Sequence, residues 1–160
     1  MAKTQLTKEI EVALFKAVKA DGLGVYGCLE VSFGSSYGDQ YCDFVTMDAD
    51  NVFRCYEIKI SKSDFNSKAK LSFLGDYNYF VLTEELYKDV KEGIPWWIGV
   101  YVFKDGRCHC EKKSSKQKIT IGQRIDLMHG MIRSLSRLQT KQIKTCKSKD
   151  GDNNDTNSKT

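Results

Sequence analysis

Two carboxylates and one ammonium group occur at a spacing that could bind a metal ion and a phosphate together. Asp43 lies in the run YCDFVTMD, and Glu57 and Lys59 lie in the run FRCYEIKI, which follows after a polar turn. Side chains alternate between the two faces of an extended strand, so Glu57 and Lys59 share a face while Ile58 turns away. Carboxylate oxygens bind hard divalent cations, and a neighbouring lysine can face a phosphate or an attacking water. These side chains therefore predict metal-assisted chemistry on a phosphate ester.

The two runs are predicted to form a β-hairpin in which Asp43 and Glu57 stand side by side. This register also places Met47 opposite Phe53, so the connection between them has an odd number of residues. We therefore expect a three- or five-residue turn, or a bulge, between Met47 and Phe53. A two-residue loop would instead pair Asp43 with Tyr56 and put the two acids on opposite faces of the sheet.

The order and spacing of these motifs resemble a known superfamily. CDFV at residues 42–45 and YEIKISKSDF at residues 56–65 are similar to the motifs of the PD-(D/E)XK nucleases, which share the restriction-endonuclease-like fold. Within that superfamily the chain resembles the MmcB-like DNA repair branch and related small phage proteins. The run at residues 75–103 adds to this likeness, which covers roughly residues 6 to 103. One departure is Cys42, which stands where the motif has its proline.

The resemblance implies a DNA nuclease that depends on Mg²⁺ or Mn²⁺, and an endonuclease rather than an exonuclease. DNA repair, recombination or the processing of phage or mobile-element DNA is the expected setting. Asp43 and Glu57 would bind the cation together with the carbonyl of Ile58, and Lys59 would stabilise charge on the phosphate or orient the water. In the resembling family an acid on the first helix often completes the site. Here Glu11 is favoured over Glu9, because Glu11 borders the apolar side of that helix.

Basic residues are the candidates for contacts with DNA phosphates. Three of them follow the hairpin in sequence, and the other three repeat every four residues on the last predicted helix, where they form one stripe. Solvated helix faces are the alternative interpretation of both groups. A homodimer is compatible with these expectations, because enzymes that cut both strands often pair two sites. The candidate DNA-binding residues are Lys62, Lys68, Lys70, Arg133, Arg137 and Lys141.

Length and composition indicate one soluble domain. The 160 residues are 41% hydrophobic, and the formal net charge of +4 is too small to demand a polyanionic partner by itself. No run approaches the length of a membrane span and no secretory signal is recognised, so a cytoplasmic protein without a membrane partner is expected. Cys28, Cys42 and Cys55 lie in predicted strands, which favours reduced thiols over disulfides. Residues 1–141 are expected to form the nuclease-like domain, and residues 142–160 a disordered polar tail.

Hydrophobic periodicity and capping signals predict an α/β fold with a restriction-endonuclease-like three-layer core. A mixed central sheet of about five strands would be flanked by helices, with the hairpin at its middle. Ser63 or Asp64 is expected to cap the helix after the hairpin, and Thr83 the next one. The predicted elements are a helix that begins after Thr4 or Thr7, a strand at 25–33, the hairpin, a helix at 65–74, a strand at 79–82, a helix from 84, strands at 97–103 and 107–111, and a helix at about 122–141.

Two other functions are compatible with the sequence. The same fold could serve as a non-catalytic module that binds DNA or protein, in which case binding would need no metal and no cation would support cleavage. Cys108 and Cys110 could also belong to a zinc-stabilised interaction domain. The zinc interpretation is disfavoured because no second pair of ligands occurs at the spacing of a zinc site.

Overall fold

The computed structural model describes residues 3–34, 38, 40–67 and 73–151, with side chains to residue 146. Within these residues, six strands and four α-helices follow one another, with a short 3₁₀ turn after the third helix. Their bounds are α1 Gln5–Ala17, β1 Val25–Ser32, β2 Tyr41–Asp48, β3 Phe53–Lys59, α2 Lys62–Phe65, β4 Tyr77–Thr83, α3 Glu84–Val90 with the 3₁₀ turn Lys91–Gly93, β5 Gly99–Lys104, β6 Arg107–Lys112 and α4 Ile121–Gly151.

The six strands form one mixed sheet in which their spatial order equals their order in the sequence. Strands β1, β2 and β3 are antiparallel, β3, β4 and β5 are parallel, and β6 returns antiparallel to β5. The predicted α/β class with a mixed central sheet is therefore confirmed, and the sheet has six strands where about five were expected. The hairpin of β2 and β3 lies inside the sheet, with β1 on one side and β4 on the other.

Helices cover both faces of the sheet. Helix α1 packs through Ile10 and Leu14 on the face that carries Phe44 and Tyr56. Helix α4 packs on the opposite face, where Leu127 and Met131 join Val45, Phe53 and Cys55 of the hairpin. Helix α3 covers the parallel strands through a third cluster that includes Phe80, Leu82, Leu86 and Val90. Because side chains alternate along β3, Glu57 and Lys59 belong to the same face as Cys55.

The register of the hairpin agrees with the prediction. Val45 pairs with Cys55 and Met47 with Phe53, so five residues separate the last pair. Asn51 has a positive φ of 58° within this turn, and its N–H donates to the carbonyl of Asp48 at 3.0 Å. Asparagine tolerates the left-handed conformation better than most residues, which suits it to this position.

Two predicted helices differ from the structure. Helix α2 spans Lys62–Phe65, where a helix at 65–74 was expected, and residues 68–72 lie outside the described residues. It is capped by Ser61, whose hydroxyl accepts the N–H of Asp64 at 3.1 Å, and not by Ser63 or Asp64. Helix α4 was expected to end near residue 141 and to be followed by a disordered tail from residue 142, but it continues to Gly151. The prediction was wrong here because a polar, lysine-rich sequence signals the absence of a core and does not exclude a solvated helix. Residues 152–160 lie outside the described residues.

Within the part of the chain that the structure describes, no helix combines the length and the apolar character needed to cross a membrane. Helix α4 is long enough by number of residues, but it carries basic side chains along its exposed length.

Candidate active site

The candidate site begins where the hairpin ladder ends. The outermost residue pair of β2 and β3 is Phe44 with Tyr56, and Asp43 is the next residue outward. The carboxylate oxygen Oδ2 of Asp43 accepts the backbone N–H of Ile58 at 2.8 Å, and so takes the place of a strand-to-strand bond. Since the N–H and the carbonyl of one strand residue point to the same neighbouring strand, the carbonyl of Ile58 is also directed towards the side of Asp43.

Glu57 and Lys59 are both buried, with 6% and 8% of their surface exposed. Their positions on β3 give them a common face, as predicted, and Lys59 Nζ lies 3.3 Å from Oδ1 of Asp64 at the start of α2. Asp64 was predicted to be only a helix cap. It instead lies in the first turn of α2 and supplies the counter-charge to the lysine of the candidate site.

Burial and neighbouring charges act in opposite directions on Asp43. Removal from water raises the pKa of Asp43 above its ordinary value, although the Ile58 N–H, the Lys59 ammonium and a hydrogen bond with Glu57 all favour the ionised form. Burial also raises the pKa of the Cys42 thiol, and the charges of Glu57 and Asp43 add to this effect. The two carboxylates therefore lie within interaction distance of each other, in a poorly solvated environment that would favour a cation.

Cys42 occupies the position of the proline in the resembling motif without disturbing the site. Its thiol is fully buried and donates to the carbonyl oxygens of Phe44, at 3.3 Å, and Tyr56, at 3.5 Å. The residue therefore acts as a small core side chain beneath Asp43.

A second group of charges adjoins Asp43 on its other side. Between two pairs of the β1–β2 ladder, Glu30 stands opposite Asp43, and it has a positive φ of 53°. Lys3 forms ion pairs with Glu11 of α1 and with Glu30, the latter at 2.9 Å, and its charge also acts on Asp43. The structure thus brings Glu11 into the charge network of the candidate site through Lys3.

Glu9, the alternative to Glu11, is directed elsewhere. It is exposed, accepts a hydrogen bond from Gln5 at 3.1 Å, and lines a separate cleft between α1 and the β5–β6 turn. The choice of Glu11 over Glu9 is consistent with these positions, whereas the catalytic role of Glu11 stays a prediction.

The candidate DNA-binding residues fall into different surroundings. Arg137 lines a cleft of about 450 Å³ together with Asp43, Glu30 and Tyr41, and it lines the next cleft along α4 with Lys141. Arg133, which is exposed on the same helix, has its guanidinium beside Gly34. The middle residue of the stripe on α4, Arg137, therefore lies beside the candidate site.

The positions of the lysines after the hairpin give little support to their predicted contacts with DNA. Lys62 is exposed and pairs with Asp89 of α3 at 3.3 Å, which directs it towards α3. Lys68 and Lys70 lie outside the described residues. Their predicted contacts with DNA stay predictions.

The donor atoms at the hairpin suit a hard divalent cation. Carboxylate and carbonyl oxygens are the ligands that Mg²⁺ and Mn²⁺ prefer, and Asp43, Glu57 and the carbonyl of Ile58 supply them. Among the described residues, no group of three or more His, Cys, Asp or Glu side chains is arranged to hold a metal. The protein ligands of an ion at the hairpin would be Asp43, Glu57 and the carbonyl of Ile58.

The two cysteines of β6 differ in burial and in the groups that their thiols contact. Cys108 is buried, its thiol points to the carbonyl of Ile10, and burial raises the pKa of this thiol to about 12. Cys110 is exposed, and its thiol donates to the carbonyl of Lys112 at 3.6 Å.

Sequence reasoning did not identify three residues of this charge network. Sequence patterns identify Asp64 only as a helix cap and do not identify Lys3 or Glu30 as parts of a site. An acid between Leu29 and Val31 in an apolar strand is a weak signal that could have marked Glu30. The sequence carries no signal for Lys3, because its contacts depend on how the segment before α1 folds against β1.

The fold resembles one solved structure, described as the SPO1766 protein of unknown function from Silicibacter pomeroyi. The two structures have a TM-score of 0.70 and 15% sequence identity over 86% of this chain and 91% of that chain. At this identity the likeness concerns the fold alone. No family model and no curated protein matches the sequence.

Proposed function

We propose that this protein is a Mg²⁺- or Mn²⁺-dependent DNA nuclease with a restriction-endonuclease-like core. The observation that supports the proposal most directly is the end of the β2–β3 hairpin. There the carboxylates of Asp43 and Glu57 interact beside Ile58, and the ammonium of Lys59 acts on Asp43. This combination of hard oxygen donors and a fixed positive charge is suited to hydrolysis of a phosphodiester bond.

The residues at the end of the hairpin would serve two functions in this reaction, metal binding and stabilisation of charge. Asp43 and Glu57 would hold the divalent ion, with the carbonyl of Ile58 as a third ligand. A bound ion would supply a water of lowered pKa and would neutralise charge on the phosphate. Lys59, which Asp64 holds at 3.3 Å, would stabilise the negative charge that develops on the phosphate oxygens. The buried positions of Glu57 and Lys59 fix both groups before substrate binds.

DNA would approach along α4. The cleft that contains Asp43 also contains Arg137, and the adjoining cleft carries Lys141 and Lys144. A phosphate at Asp43 would therefore have basic side chains on one side, which would neutralise the neighbouring phosphates and release their counterions. The guanidinium of Arg137 donates to the hydroxyl of Ser134 at 2.9 Å, which orients it within the cleft.

A cleavage assay tests this proposal. Supercoiled, linear, single-stranded and branched DNA are incubated with the protein and Mn²⁺ or Mg²⁺, and the parent protein is expected to cut at least one of them. Asp43→Asn, Glu57→Gln and Lys59→Met should each lower the rate by at least about a hundredfold. Glu9→Gln is the matched control, because Glu9 is exposed and lines another cleft. Binding of DNA without metal, and no cleavage with any cation, would instead identify a non-catalytic module.

A further inference from the structure

Helix α4 presents three different sides, and only one of them packs on the sheet. Leu127 and Met131 are buried against β1 and β2, and the hydroxyl of Ser134 donates to the carbonyl of Glu30 at 3.1 Å. Each residue turns an α-helix by 100°, so these three residues occupy one sector of it. Arg133 and Arg137, which are exposed, lie on the side that reaches the candidate site.

The third side is an apolar seam that faces solvent. Ile121 is 78% exposed and Ile132 is 57% exposed, and three further aliphatic side chains of the seam are about half exposed. At 100° per residue the members fall within a sector of roughly 80°, next to the packed side and away from Arg137. The members of the apolar seam are Ile121, Ile125, Ile132, Leu135 and Ile143, with the partly buried Met128 among them.

The spacing of the seam identifies the kind of partner that fits it. From Ile121 to Leu135 the apolar positions, including Met128, are separated by four, three, four and three residues. This is the heptad spacing with which one helix packs along another, and it matches neither the groove of DNA nor the edge of a sheet. Since α4 itself has this spacing, a second copy of the chain supplies a complementary helix.

The area and the charges of the seam are compatible with self-association. Its aliphatic side chains expose on the order of 300 Å² per copy, and an interface of ordinary polarity built around them covers on the order of 1,000 Å² in total. That is the lower end for a specific interface, so a reversible dimer is expected. The seam is continued towards the C-terminus by Gln139 and Gln142, and no acid or base occupies the seam positions from Ile121 to Ile143.

The distribution of charge along α4 favours one relative direction of the two paired helices. From Leu127 to Lys149, both included, the sequence has six Lys and Arg residues and no Asp or Glu residue, so the positive charge of α4 is concentrated in its second half. Two parallel helices would place these basic halves side by side. Antiparallel helices centred on Ile132 keep them apart and bring Ile121 of one copy near Ile143 of the other.

We propose that the apolar seam of α4 is a homodimer interface in which two copies of α4 pack antiparallel, with the twofold axis near Ile132. This arrangement leaves the side that carries Arg133 and Arg137 open in both copies. The proposal does not depend on nuclease activity, because it concerns a separate side of the helix.

Sedimentation equilibrium between about 1 µM and about 1 mM tests the dimer. The apparent mass of the parent protein should rise with concentration from that of one chain, 18.2 kDa, towards twice that value. The double substitution of Ile125→Glu and Ile132→Glu should stay monomeric throughout, and both sites are exposed enough to leave the fold intact. Thr140→Glu is the matched control on the same helix, outside the seam, and should dimerise like the parent.

Cross-linking tests the direction and does not rely on a destabilised variant. In a Cys110→Ser, Cys146→Ser background, Ile132→Cys should form a disulfide-linked dimer on mild oxidation, because the two copies of this position meet at the axis. Thr140→Cys should form far less. The proposal is overturned if the parent is monomeric over the whole range, if the double variant dimerises as well as the parent, or if the two cysteine variants cross-link equally.

Discussion

Asp43 Oδ2 lies 2.8 Å from the backbone nitrogen of Ile58 and accepts its hydrogen bond where the β2–β3 ladder ends. This contact joins the first acid of the candidate site to the backbone between the second acid, Glu57, and Lys59. The carboxylate is therefore fixed by the strand that carries the other two functional groups. Fixing it in a poorly solvated position has an energetic consequence, because burial raises the pKa of Asp43.

Replacing Asp43 by asparagine should stabilise the metal-free protein at pH 7. A carboxyl group whose pKa is raised by folding binds its proton more tightly in the native state, so its ionised form costs stability above that pKa. Asp43→Asn should gain about 0.5–2 kcal/mol at pH 7. The gain should shrink as the pH falls through the raised pKa towards the ordinary value of 3.8, where the parent is itself protonated. Urea unfolding at several pH values measures this dependence.

Asp48→Asn is the control, because its expected effect on stability has the opposite sign. Burial opposes the shift, but hydrogen bonds from Arg54 and from the turn backbone lower the pKa of Asp48. Its contribution to stability is present above 3.8 and is lost as the pH falls through the lowered pKa, so the substitution should cost up to about 1 kcal/mol at pH 7. If Asp43→Asn destabilised the protein as Asp48→Asn does, the energetic cost assigned to the buried carboxylate would be wrong.

Removing the ammonium of Lys3 should strengthen metal binding. Lys3 pairs with Glu11 and Glu30 and acts on Asp43, so it competes with any other cation for these acids. We expect Lys3→Met to raise the affinity for Mn²⁺ by about three- to tenfold, since removal of one partly exposed charge is worth about 1 kcal/mol. Isothermal titration calorimetry measures the change.

Lys8→Met is the matched control for this experiment. Lys8 belongs to the same helix region but lines the cleft with Gln5 and Glu9, away from Asp43. Its substitution should leave the Mn²⁺ affinity unchanged. An equal increase in both variants would show that net charge alone is responsible, and that Lys3 has no special position.

The hairpin could be predicted from the sequence because its determinants are local. Side-chain alternation places Glu57 and Lys59 on one face of the strand. Asp43 can lie on that same face only if the turn has an odd number of residues. The observed pair of Met47 and Phe53 agrees with this register. The caps at Thr4 and Thr83 were also predictable, since each hydroxyl accepts a backbone N–H three residues later.

The remaining parts of the site depend on contacts between distant segments. Glu30 and Lys3 reach Asp43 only because β1 pairs with β2 and the segment before α1 folds over β1. Periodicity marks an apolar side on α4, but the side that packs on the sheet is that of Leu127 and Met131. The pattern identifies an apolar face without identifying what covers it, because that depends on the partner surface.

The ion pair between Asp76 and Arg124 should be important for stability. Asp76 is 1% exposed and accepts hydrogen bonds from Phe53 N, at 2.8 Å, and from both terminal nitrogens of Arg124 in α4. Asparagine would leave the guanidinium without its counter-charge, so Asp76→Asn should cost about 3 kcal/mol and lower Tm by about 6–12 °C. Burial alone would raise the pKa of Asp76, but these donors lower it below its ordinary value of 3.8. The ionised carboxylate therefore stabilises the protein above pH 3.8, and this contribution is lost as the pH falls through the lowered pKa.

Glu84→Gln is the comparison for a solvent-exposed pair. Glu84 pairs with Lys88 and Lys104 at the surface of α3, where water screens the interaction. Thermal unfolding at neutral pH should show no measurable change in Tm for this variant.

Below the lowered pKa of Asp76, the difference in stability between Asp76→Asn and the parent should disappear. A difference that persists at low pH would mean that the pair does not act through its charge.

The docking of α4 on β1 should depend on the absence of a side chain at Gly130. A Cβ built at this position would lie 2.8 Å from the carbonyl oxygen of Ser32 and 2.9 Å from Cγ1 of Val31. Gly130→Ala should therefore push the helix away from the strand and cost about 1–3 kcal/mol, although alanine is the better helix former. Gly122→Ala, in the first turn of the same helix, meets only Thr120 Oγ1 at 3.8 Å and should be neutral or stabilise by up to about 1 kcal/mol. Chemical unfolding of both variants measures the contrast, and equal effects would show that the close approach at Gly130 does not hold α4 in place.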